Sequence, residues 1–144
     1  MNLAPTLTPD PATGLVTIVA GYTPTLNIHT PDSIYAKFYW LPTVGPLSYL
    51  AWERVNLYVP ADDSRITIGY DELAWSLGAA PGRLTRAVAR LVKFHLATID
   101  PDQPDTLRVQ RKAPTLRASM LAGLSAKCPT LADAHHEQIE VIAA

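Results

Sequence analysis

Two helical repeats separated by a glycine and a proline constrain this chain more than any other feature. In "YDELAWSLG", Leu73 and Leu77 recur one turn apart. Asp71 and Glu72 fall in the first turn, where the helix dipole favours anions, and Gly78 marks the stop. Pro81, suited to a first helical position, then opens "PGRLTRAVARLVKFHLATI". There Leu84, Ala87, Val88, Leu91 and either Phe94 or His95 recur as one apolar face. Only a tight turn fits between the two helices.

The flanking segments narrow the architecture. A helix is predicted from Pro46, with Leu47, Leu50, Ala51, Val55 and Tyr58 at helical spacing, ending at Pro60. "RITIG" reads as a short strand before the pair. "LATI" and "TLRVQR" read as two strands after it, joined by "DPDQPD", whose two prolines continue neither neighbour. The order is helix, strand, helix, turn, helix, strand, loop, strand. The expected fold is mainly α with a small β component (α+β), a winged helix-turn-helix with an N-terminal β-prone extension and two C-terminal helices.

Three segments are expected. Residues 1–31 form the extension, in which "LVTIVA" is a strand with "TLNIH" as its loose hairpin partner. Residues 32–114 form the winged domain, with a short helix or turn anchored by Phe38 and Trp40 and stopped near Pro42. Residues 115–144 form two helices around Pro129, with Leu116, Met120, Leu121 and Leu124 apolar in the first. Leu131, His135, Gln138, Ile139 and Ile142 are spaced helically in the second. These helices are candidates for dimerisation or for packing back on the domain.

A chain of 144 residues buries enough surface to fold as one domain without disulfides or metal. Charged residues at 17% and hydrophobic ones at 48% argue for a globular chain over a disordered one. Cys128, the single cysteine, has no internal partner and reads as a small buried or partly buried residue. The N-terminal segment lacks a basic head and is broken by prolines, so neither secretion nor membrane insertion is expected, and the expected location is cytoplasmic.

The net charge of −1 conceals segregation. Residues 81–117 hold eight cations against three aspartates, +5, and the remaining four cations and ten acids leave −6. Arg83, Arg86, Arg90 and Lys93 form a stripe on a helix that contains no acid. A solvated face normally mixes signs, because oppositely charged neighbours stabilise a helix slightly. With Thr85 beside it, the stripe is the candidate DNA-binding face. Arg86 and Arg90, one turn apart, are placed for guanine edges, while Arg83 and Lys93 suit phosphates. Arg108, Arg111 and Lys112 are expected to hold phosphates from the wing, whose tip, carrying Asp100, Asp102 and Asp105, stays out of the groove.

From "YWLPTVGP" through "DELAWSLG" and "LTRAVARLVKFHLA" to "APTL", about half its length, the chain resembles winged helix-turn-helix proteins of actinobacteria and their bacteriophages. The matching positions include Trp40, Pro42, Gly45, Pro46, Gly78, Arg86, Arg90, Leu91 and Phe94. The resemblance implies transcription regulation or another DNA-binding role. Similar sequences are expected to carry glycine where His95 stands, so a less sharply turned exit from the basic helix is expected.

The expected function is therefore a sequence-specific double-stranded DNA-binding protein, a transcription regulator, with no cofactor and no small-molecule substrate. The alternatives are a protein-interaction module on the same scaffold, or an accessory factor for excision or replication in a phage or mobile element. Catalysis leaves little trace: there is no Gly-rich phosphate loop or nucleophile elbow. Adjacent His135 and His136 point to different sides of a helix, and Pro129 separates Cys128 from them, so no metal site is expected. His95 reads as a hydrogen-bonded core residue. Nine of the eleven aromatics lie between Tyr35 and Trp75, and they are expected to form the core and its seams rather than a stacking platform.

Overall fold

Proline sets where the long helices begin. Pro46, Pro81 and Pro129 each take the first position of a helix, where φ is already suitable and the N–H has no intrahelical acceptor to miss. The computed structural model of the chain describes residues 5–143, with side chains through Glu137, and its fold is mixed α+β. In chain order the elements are β1 (Leu15–Ala20), β2 (Asn27–His29), a π turn (Ala36–Trp40) running into α1 (Leu41–Val44), α2 (Pro46–Tyr58), β3 (Ile66–Gly69) and α3 (Tyr70–Ser76). Then follow α4 (Pro81–Lys93), β4 (Ala97–Thr98), β5 (Thr106–Val109), β6 (Ala113–Pro114), α5 (Ala118–Lys127) and α6 (Pro129–Ala143). Among the described residues no helix is long and apolar enough to cross a membrane.

The main sheet runs β3-β1-β5-β4, with β1 antiparallel to β3 and parallel to β5. Its centre is therefore a strand from the N-terminal segment. Val16 and Ile18 are buried against the helices, while Thr17 faces outward beside Thr67. β-branched residues on both faces suit a strand with neighbours on both edges. That corrects the expected hairpin: "TLNIH" does not pair with "LVTIVA", whose edges are taken by β3 and β5. Instead β2 pairs with β6, Asn27 opposite Pro114 and His29 opposite Ala113. Ahead of β1 the chain lies along the β4–β5 loop, where the Thr8 amide donates to the Pro104 carbonyl at 2.8 Å and Leu7 is buried.

The helical face of α2 also differs from expectation. Ser48, Tyr49, Ala51, Trp52 and Val55 are buried, and Leu50 and Leu57 are exposed. Tyr49 and Trp52 take inward positions, where each ring buries a large apolar area and its polar atom finds a carbonyl. The Trp52 indole donates to Gln110 O at 2.7 Å, and the Tyr49 hydroxyl donates to the Pro31 carbonyl. Burial, followed by the nearby Glu53 and Asp32 charges, pushes the Tyr49 phenol up to about 12.

Pro42 does not stop its helix. The Leu41 amide bonds back to Ala36 O, five residues earlier, and this wide turn directly precedes the proline. A normal turn there would press the pyrrolidine ring against the carbonyl four residues back. The helix ends instead at Gly45, with φ +93°. The anchors are Tyr35, Tyr39 and Trp40, all buried, whereas Phe38 is exposed. The first half of α6 packs on its own domain through Ala132 and His135. Gln138, Ile139 and Ile142, expected on the same face, lie outside the described side chains.

Candidate nucleic-acid interface

The apolar stripe of α4 decides which of its side chains face solvent. Leu84, Ala87, Val88 and Leu91 are buried, in agreement with the period of the sequence, so Arg83, Arg86, Ala89 and Lys93 project outward. The side chains of Arg83 and Arg86 make no hydrogen bond or ion pair among the described residues, and no acid shares the helix. Lys93 lies over the Phe94 ring, 5.8 Å from its centroid, and stays exposed.

Two expected contacts of this helix are used internally. Arg90 Nε donates to Val44 O at 2.6 Å and its Nη2 to Thr43 O at 3.2 Å, so the guanidinium closes the carbonyl end of α1. It also covers the Phe94 ring. A side chain holding two carbonyls is not free for a two-pronged guanine contact, which corrects the placement of Arg90 as a base reader. Thr85 turns inward: its hydroxyl pairs with that of Tyr70 and reaches Pro81 O at 3.1 Å. It ties α3 to α4 rather than facing outward.

Beside the stripe lies a feature that the sequence reading missed. Gly45, Pro46, Leu47 and Ser48, the first turn of α2, share a shallow depression of about 270 Å³ with Arg83, Arg86 and Arg90. Pro46 has no N–H and the Gly45 amide bonds to Leu41 O at 2.9 Å, so the first-turn amides without an intrahelical acceptor beside these cations are those of Leu47 and Ser48, two donors suited to an oxyanion. "GPLS" carried the local signal, a glycine and proline opening a helix. Its meeting with the arginines depends on α2 packing against α4, where the Ser48 hydroxyl donates to Ala87 O at 2.9 Å.

The wing cations are placed elsewhere. Arg111 forms an ion pair with Asp63 and donates to the carbonyls of Val59 and Pro60, closing the C-terminal end of α2. Arg111 and Lys112 line a separate cavity there with Asp32 and Glu53. Since α2 spans 13 residues, that end lies about 20 Å from the depression at its start. Arg111 and Lys112 are thus not gathered with the α4 stripe. Arg108 is exposed on the sheet, opposite Thr98 and Val19.

The exit from α4 is as sharp as glycine would make it. His95 adopts φ +62°, its amide bonds to Val92 O at 3.1 Å, and the Leu96 amide bonds to Leu91 O at 2.9 Å. Those bonds define a left-handed cap with Leu91 and Leu96 both buried beneath it. His95 itself is exposed, which corrects its reading as a core residue.

The buried histidines are His29 and His135. His29 stacks on Tyr35 with ring centroids 3.7 Å apart, and its Nε2 lies 3.1 Å from the Thr115 hydroxyl. The Tyr35 oxygen accepts the Leu116 amide and lies 2.6 Å from His135 Nε2. The other ring nitrogen, His135 Nδ1, is buried without a partner among the described residues. Burial lowers the pKa of both imidazoles, with His135 adding to the effect on His29 and His136 to that on His135.

No family model, curated protein or solved structure matches this chain.

Proposed function

We propose that the segment from α2 to β5 is a winged helix-turn-helix and that the protein binds double-stranded DNA with α4 in the major groove, as a sequence-specific regulator of transcription. The observation that carries this reading is the exposed, unengaged pair Arg83 and Arg86 beside the open first turn of α2. In this docking the α2 turn and Arg83 hold a backbone phosphate, Lys93 holds another further along, and Arg86 reaches a guanine edge. Arg90 acts behind them by fixing α4 against α1. Arg108 is the one wing cation retained as an outer contact.

Selection of bound fragments from a randomised duplex pool tests the reading. The wild-type chain is expected to enrich a defined site, and Arg86→Ala is expected to lose about 1–3 kcal/mol of preference at one base pair. Enrichment of the same site by Arg86→Ala contradicts its role as the base reader. No retention of duplex at low salt, with a protein partner captured after nuclease treatment, supports the interaction-module reading instead.

A further inference from the structure

A second cleft opens where α5 crosses the ends of α1 and α4. It has a volume of about 460 Å³, within the range of small-molecule sites. Its apolar floor is formed by Pro42, Phe94, Met120 and Leu124. Its rim carries Lys93, Arg117 and Lys127, with Arg90 behind them, and no acidic side chain among the described residues lines it. Arg117 is also the residue before the first turn of α5, whose end has no side-chain cap. Cys128, a free and half-buried thiol, closes one side.

An apolar floor under a rim that carries three cations selects for two properties in one ligand. A bare inorganic anion leaves the floor unfilled, and a neutral apolar molecule leaves the cations without a partner. We propose that this cleft binds a small amphipathic carboxylate, its acyl body on Phe94, Met120 and Leu124 and its head between Lys93 and Arg117. The assignment stands on the lining alone and does not require α4 to bind DNA.

Decanoate is the probe, with decanol and inorganic phosphate as its two halves. Calorimetric titration of the full chain is expected to give one saturable decanoate site, with both controls at least about tenfold weaker. Occupancy is expected to slow alkylation of Cys128 by iodoacetamide. Arg117→Gln should weaken decanoate binding about tenfold, the loss of one charge-assisted contact. Met120→Trp should abolish it by filling the floor, with an unchanged circular dichroism spectrum showing that the fold persists. No saturable binding at millimolar decanoate overturns the proposal, as does equal binding of decanol or phosphate. Wild-type affinity in the folded Arg117→Gln and Met120→Trp variants overturns it too.

Discussion

Individual residues of α4 divide into those that face outward and those that hold the fold, and stability separates them. Arg90→Ala removes two hydrogen bonds from a charged donor to the end of α1 and is expected to cost about 1–2 kcal/mol in urea denaturation. Arg83→Ala and Arg86→Ala, with no partner to lose, are expected to stay within about 0.5 kcal/mol of wild type. His95→Gly relieves a left-handed backbone that L side chains resist, and a gain of about 1 kcal/mol is expected by the same measurement. The stripe was legible because helical period alone gives its angular position. The occupation of Arg90 was not, since its acceptors lie 46 and 47 residues earlier in the chain. Nor was the turn at His95, where the imidazole accepts a conformation that glycine takes more readily.

Among the elements, β1 illustrates how composition reveals a strand without revealing its neighbours. "LVTIVA" was readable as a strand with two apolar faces, yet its pairing with β3 and β5 spans roughly 50 and 90 residues and leaves no local trace. Deletion of residues 1–20 is therefore expected to unfold the chain, removing the sheet centre with Val16 and Ile18. A native amide spectrum for the truncated chain would contradict this. The docking of α6 makes a second prediction. His29 and His135 have folded pKa values below the usual 6.5, so the unfolded chain binds their protons first as pH falls. Stability is full above about pH 6.5, declines as pH drops toward the depressed folded values, and levels off below them. Tyr39, His136 and Glu137 flank the same cluster. Urea midpoints between pH 7.5 and 5 are expected to fall for wild type and to fall less steeply for His135→Phe.

For the molecule as a whole, net charge is a poor guide. The sequence carries −1 in total, but the fold gathers Arg83, Arg86, Arg90 and Lys93 along one side and places Arg111 and Lys112 at the far end of α2 beside Asp32 and Glu53. Charge segregation was visible in the sequence, whereas the division of the cations between two ends of a helix needed the packing of α2 on α4. The central claim is that the outward cations of α4 neutralise duplex phosphates. Its most direct test is the salt dependence of duplex binding by wild type and by the double variant Arg83→Ala, Lys93→Ala. Each phosphate contact contributes about −0.9 to the slope of log K against log salt, so the variant is expected to be shallower by about 1.8. A variant slope equal to that of the wild type, or no duplex binding by wild type at low salt, would contradict the account.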